Sequence, residues 1–335
     1  MDGSLFAPPL ATGAADAMLL HRPVLLDEAL TALKVDANPE GVFVDGTYGR
    51  GGHTGAILKQ LGAKGVLHAF DRDPEAEADA ATRYAGETRL RFHAANFARM
   101  PAVAAAEGFA GKVNGLLLDL GVSSPQFDDG QRGFSFSHDG PLDMRMNPRA
   151  GESVAQWLSH AREEQIADVL FNYGDERNSR RIARRIVESR DETPILGTAQ
   201  LAALIASVPG PRSHKIHPAT RSFQALRIHI NGELDALRAA LDASFALLAP
   251  GGRLAIISFH SLEDRMVKQF LRDAGGKREA RDKYAHLKES GNDSAGGPAR
   301  LVELGRIFPS DAETASNPRS RSSVLRVAEK SLGRA

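Results

Sequence analysis

The most chemically suggestive stretch of the chain is Asp45-Gly46-Thr47-Tyr48-Gly49-Arg50-Gly51-Gly52-His53-Thr54-Gly55. Glycines at this density let backbone approach a ligand where any Cβ would collide. The run follows an apolar segment and precedes a helical pattern, and the next apolar segment ends in Asp71. An acid there can accept hydrogen bonds from a ribose diol. Strand, glycine-rich loop, helix, strand and acid in this order point to an adenosine-containing cofactor; the competing explanation is a tight turn with no ligand. Charge separates the cofactors. A dinucleotide sets its pyrophosphate at such a loop, beside a helix N-terminus that welcomes anions. Asp45 heads the loop and would repel that anion, but it suits the sulfonium and ammonium groups of S-adenosylmethionine. The expectation is S-adenosylmethionine rather than NAD.

A second constellation, Asp119-Leu120-Gly121-Val122-Ser123-Ser124-Pro125-Gln126-Phe127, follows an apolar run over 113–120. In open α/β sheets the carboxyl ends of strands border the ligand crevice. Amino-methyltransferases of bases place a short polar-Pro-Pro-aromatic loop at this point. The lone pair of a cytosine N4 amine is delocalised into the ring, and acceptors that hold its hydrogens favour the nucleophilic sp³ form. Ser123, Ser124 and Pro125 are the candidates for that work, although Ser-Ser-Pro alone could simply end a strand.

Base chemistry requires an unstacked base held against a flat group. Phe134 and Phe136, beside Arg132, are candidates for the platform, or else loop anchors. Arg177, Arg181, Arg184 and Arg185 recur at helical spacing with Ile182 and Ile186 on another face, a basic ridge suited to phosphates. The alternative is a solvated face balanced by nearby acids. Arg212, His214, Lys215, His217 and Arg221 form a second basic stretch, and Arg319 and Arg321 a third. His214 and His217 lack a third ligand nearby and sit in basic company, so no metal is expected.

The elements that must position these residues alternate as in a parallel α/β sheet. Strands are expected at 41–45, 66–71, 90–93 and 113–120, with helices at 54–61 and 74–84. The alternation stops between about 126 and 223, where only helical patterns appear, at 152–159, 163–171, 176–189 and 198–208. A helical pattern over 219–248, broken at Asn231-Gly232, leads to strands at 252–259 and 323–328. The expected fold is a Rossmann-like, doubly wound, mostly parallel sheet with an inserted helical domain. Residues 21–125 and 222–335 would form the sheet domain, and 126–221 the substrate-recognition insert. Residues 1–20 read as a mobile leader and 274–300 as a mobile loop.

With 335 residues, 42% of them hydrophobic, the chain can bury a sizeable core. It has no cysteine, which excludes disulfides and thiolate metal sites. The first residues lack a basic n-region and no apolar run is long enough to span a bilayer, so a cytoplasmic protein without a membrane partner is expected. Lys plus Arg and Asp plus Glu both number 42, so a nucleic-acid surface must come from clustering rather than net charge.

His21-Arg22-Pro23-Val24-Leu25-Leu26, DGTYGRGGHT, FDRDP, GVSSPQFD, RGFSF, DGPLDMRM, QALRIHIN, SFHSLEDR and NPRSRS occur in this order. Together they resemble the bacterial ribosomal RNA small subunit methyltransferase H, or MraW, family from about residue 21 to 330. The resemblance implies a class I methyltransferase that uses S-adenosylmethionine to methylate N4 of a cytidine in the decoding centre of 16S rRNA, on the RNA or the small ribosomal subunit. Position by position it implies cofactor contacts from Gly51, Gly52 and His53, with Asp71 at the ribose. It places Phe97 beside the adenine, and Asp119 and Gln126 near the methionine end. Gln126 and Phe127 stand where other amino-methyltransferases have Pro and Tyr. Competing readings are a DNA amino-methyltransferase, disfavoured because no duplex-reading motif is apparent, and a non-catalytic RNA-binding or assembly protein on this fold. The oligomeric state, a homodimer included, is left open.

Overall fold

Strands made of unbroken apolar runs build the centre of the molecule, which a computed structural model describes over residues 22–210, 216–275 and 300–332. The expectations for residues 1–20, for most of 274–300 and for Lys215 lie outside the described residues. Five parallel strands, β1 (Val42–Asp45), β2 (Val66–Asp71), β3 (Leu90–Ala94), β4 (Val113–Asp119) and β5 (Leu248–Ser258), are joined by β6 (Leu301–Ile307) and β7 (Val324–Lys330). The order is β3-β2-β1-β4-β5-β7-β6, with β7 antiparallel to both neighbours.

Successive side chains of a strand face opposite ways, and both faces here are apolar. Leu116 and Leu118 of β4 enter one core and Leu117 the other. Helices α1 (Leu26–Leu33) and α2 (Gly52–Gln60) cover the Leu117 face with Ala29, Leu33, Ile57 and Leu58. Helix α3 (Pro74–Arg83) starts where Asp73 accepts a hydrogen bond from Glu75 N at 3.0 Å and Pro74 presets the first turn. Helix α4 (Met100–Glu107) covers the opposite face with Met100 and Ala104.

Between β4 and β5 the chain leaves the sheet and builds α5 (Ser124–Asp128), α6 (Val154–His160), α7 (Glu163–Gly174), α8 (Ser179–Glu192), α9 (Thr198–Ser207) and α10 (Thr220–Asn231). The apolar stripes of α6 to α9 form a separate core of Trp157, Ile166, Leu170, Ile182, Ile186, Leu201 and Ile205. Phe223, Ala225 and Leu226 of α10 belong to this core as well. The packing of the insert therefore runs past the expected boundary at 221 and ends at Gly232, the C-cap residue of α10, with φ of 58°. Helices α11 (Glu233–Leu247) and α12 (Ser261–Ala274) return to the sheet and pack beside α4 through Leu237, Leu241, Val267 and Leu271. A short α13 (Asp311–Ser316) precedes β7. No helix among the described residues is long and apolar enough to cross a membrane.

Candidate active site

The carboxyl ends of β1, β2 and β4 open onto one cavity of about 610 Å³, within the range of sites that enclose small molecules. The loop after β1 is its floor. Gly46 N donates to Leu117 O and Tyr48 N to Phe70 O, both at 2.9 Å, so the loop continues the hydrogen bonding of β4 and β2. Gly51, with φ of 71°, turns the chain into α2. Asp45 is fully buried and accepts from Thr54 Oγ1 at 2.7 Å and Thr47 N at 3.1 Å. Thr47 Oγ1 in turn accepts from Asp119 N at 2.7 Å.

The side chains expected at a cofactor fall into two groups. Gly52, His53, Asp71, Phe97 and Asp119 line the cavity. Asp45 and Gly51 do not: Asp45 organises the loop from below, and a Cβ on Gly51 would come within 2.8 Å of Tyr48 Oη. Gln126 lines the cavity, but both ends of its amide are engaged, Oε1 by Ser123 N at 2.9 Å and Nε2 by Asp73 Oδ2 at 2.7 Å. It fastens the start of α5 to the turn after β2.

The floor is built of carboxyls. Asp71 accepts one backbone N–H on each oxygen, from Asp73 at 2.9 Å and Gly49 at 2.8 Å, and burial still pushes its carboxyl up to about 6. Burial, with Asp45 and Glu263 nearby, holds the Asp119 carboxyl well above the ordinary range. His53 lies 3.5 Å from Asp119 and is kept neutral by burial. The cavity's arginines have partners of their own: Arg50 pairs with Glu75, Arg227 with Glu233 and Arg319 with Asp128. Among the described residues no lysine or arginine pairs with Asp71 or Asp119. Asp119 Oδ1 and His53 Nε2 are buried without hydrogen-bond partners, and such groups carry a desolvation cost until a ligand satisfies them. A cationic ligand that carries a ribose fits this arrangement. A pyrophosphate does not.

Ser123, Ser124 and Pro125 sit on the cavity wall beside Asp119. They form the cap and first turn of α5 rather than an extended loop. The nucleic-acid candidates are scattered. Arg132 is buried, held by Asp73 and Glu75 and by the carbonyls of Arg145 and Met146; it is a tether, not an RNA contact. Phe134 is buried in the core of the insert, and Phe136 packs on His217 and Phe223, so neither is a stacking platform. Arg177, Arg181, Arg184 and Arg185 are exposed on or beside α8 but do not line the cavity. Arg319 lines it, whereas Arg321 is exposed elsewhere.

Sequence reasoning left several lining residues without a role, among them Arg72, Arg227, Glu233, Phe259 and Glu263. Phe127, noted only as a substitution, is 39% exposed with the Arg319 guanidinium 5.2 Å above its ring. Its place two residues after Pro125 was the available signal.

The sequence matches the MraW methylase family over residues 18–331. The chain belongs to that family. Relatives named ribosomal RNA small subunit methyltransferase H include one from Thioalkalivibrio sulfidiphilus, 57% identical over 92% of this chain and 97% of the relative. Another, from Alcanivorax borkumensis, is 54% identical over 94% of this chain and 98% of the relative. Among solved structures, an rRNA methylase from Streptococcus thermophilus aligns at 12% identity and a TM-score of 0.38 over 91% of this chain and 95% of that one, too distant to add to the assignment. In this MraW methylase S-adenosylmethionine is the methyl donor. Asp71, Phe97 and Asp119, the residues expected at its ribose, its adenine and its methionine end, all line the cavity. The first turn of α2 contains no acid.

Proposed function

We propose that this chain methylates the N4 amine of a cytidine in the decoding centre of 16S rRNA. The observation that carries the reading is the cation-seeking Asp119 floor with the Ser123-Ser124-Pro125 turn on its wall, in a chain whose relatives are named for the small-subunit rRNA. When bound, S-adenosylmethionine supplies an electrophilic methyl group on a positively charged sulfur. Asp119, unpaired with any cation of the described residues, orients that charge and can accept a hydrogen from the incoming amine. The hydroxyls of Ser123 and Ser124, fixed at a helix start, offer further acceptors. Orientation of this kind needs no dedicated base, because the amine proton becomes acidic once the new bond has formed.

Phe127 and Arg319, at the mouth, provide the flat surfaces on which an extruded base can stack. The exposed arginines of α8 are a surface for backbone phosphates away from the reacting base.

The test is transfer of label from S-adenosylmethionine to small subunits purified from cells lacking this protein, followed by nucleoside analysis. Label in N4-methylcytidine at one decoding-centre position supports the assignment. Cofactor binding without transfer to subunits or free RNA rejects it in favour of another nucleic acid or a non-catalytic assembly role.

A further inference from the structure

Away from the cavity, two imidazoles and a carboxylate meet at the β2–β3 end of the sheet. His68, midway along β2, and His93, near the end of β3, project from one face, and Glu107, the last residue of α4, closes over them. His68 Nδ1 lies 3.0 Å from His93 Nε2 and 3.6 Å from Glu107 Oε2. One ligand atom from each residue falls within 4.8 Å of the other two. A tetrahedral zinc ion with bonds of 2.0–2.1 Å sets its ligand atoms about 3.3 Å apart, between those two separations.

The surroundings suit ligation. Phe109 stacks on His68 at 3.8 Å and Phe70 on His93 at 4.5 Å, so both rings are held in place. The N–H shared between the two facing ring nitrogens at 3.0 Å would shift to an outer nitrogen when both bind. Glu107 supplies the anion from the solvent side, its side chain 43% exposed, leaving space for a water as fourth ligand. The opposing charge is Arg91, which is exposed on β3.

We propose that His68, His93 and Glu107 form a binding site for one zinc-like divalent cation. The ion would staple β2, β3 and the end of α4 together. The chain between His93 and α4 carries Asn96 and Phe97, which line the cofactor cavity, so a filled site would also stiffen that wall. The inference is independent of which RNA base is methylated.

The experiment uses the full chain without an affinity tag, stripped by a chelator and titrated with Co²⁺ and then Zn²⁺. One equivalent of Co²⁺ giving the intense visible bands of a tetrahedral complex, displaced by one equivalent of Zn²⁺, is expected. Glu107→Gln, at an exposed helix end where folding is not at stake, should weaken Zn²⁺ binding by about 100-fold or more, beyond what removal of an outer-sphere partner costs. His93→Gln should abolish the bands. His260→Gln should leave them, which separates this trio from Glu233, His260 and Glu263, the other group of ligand-type side chains among the described residues. A weak octahedral spectrum, or binding undiminished in Glu107→Gln and His93→Gln, would overturn the proposal and leave a hydrogen-bonded packing cluster.

Discussion

Arg132 Nη1 lies 3.0 Å from Asp73 Oδ2 and 3.0 Å from Glu75 Oε1, while its Nη2 donates to the carbonyls of Arg145 and Met146. One guanidinium thus ties the helical insert to the turn that carries Asp71. The planar fork reaches all four acceptors at once, which an ammonium cannot do. Arg132→Ala should destabilise the protein by about 3 kcal/mol, since Asp73 would keep a buried charge held by Gln126 and Glu75 N but by no cation. Arg132→Lys should not restore the stability. Denaturant unfolding of both variants tests this, and wild-type stability in Arg132→Ala would remove the tether from the account.

Gly52 begins α2 against Pro23, and a Cβ there would fall 2.3 Å from Pro23 Cγ. The proline ring cannot swing aside as a long side chain would. Gly52→Ala should therefore displace the loop and lower kcat/KM by about 100-fold, the scale associated with small misplacements of a site. Isothermal titration with S-adenosylmethionine should show the weakened cofactor binding, with the far-ultraviolet circular dichroism unchanged.

Asp71 predicts a pH dependence with a definite sign. Its carboxyl is raised from 3.8 to about 6 in the folded protein, so its protonated form is favoured by folding. Its contribution to stability is fully present below 3.8 and is lost as pH rises through about 6. Binding a ribose and a cation favours the ionised form, so cofactor affinity should rise across the same window. Thermal melts with and without S-adenosylmethionine should show the ligand-induced increase growing with pH, and Asp71→Asn should flatten that trend. An equal increase at every pH would contradict it.

Phe127→Ala and Arg319→Ala should raise KM for the RNA substrate by about 10-fold, the effect of removing one stacking surface. Cofactor affinity should stay within about twofold, measured on the same preparations. A matching fall in cofactor binding would assign Phe127 to the cofactor instead.

Arg181→Glu combined with Arg184→Glu should weaken RNA binding and make log K less steep in log salt by about one unit for each phosphate that is no longer neutralised. Methyl-donor binding should not change. Filter binding at several salt concentrations measures the RNA affinity and its slope, and an unchanged slope would make the ridge a solvated face.

The central strands and the cofactor loop were legible because unbroken apolar runs and clustered glycines have few other uses. Helix α4, Met100 to Glu107, was not, because its alanine-rich sequence offers little contrast between faces. Strand β6 also escaped notice: as an edge strand it leaves Val302, Leu304 and Ile307 exposed, so burial gives it no alternating signature. At the site, the types of Arg132, Phe134 and Gln126 were informative but their roles were not. A buried arginine and an RNA-facing one look alike until their partners are known. Asp45 shows the same limit: its charge was read as repelling a phosphate at the loop, whereas its carboxylate serves Thr54 and Thr47 beneath it.

The insert leaves the sheet after β4 and returns to β5, and these two strands are hydrogen-bonded neighbours from Gly115–Arg253 to Asp119–Ile257. Its way out and its way back therefore share one seam, and the sheet's own hydrogen bonds do not pass through it. Such a lobe is transplantable in principle: a different helical lobe grafted at that seam would inherit the methyl-donor floor intact. What the graft would have to reinvent is small, a replacement for Arg132 on Asp73 and for the Asn231 carbonyl that accepts from Arg72 Nη2. The helical lobe is thus a separable unit, latched to the sheet by a few polar contacts.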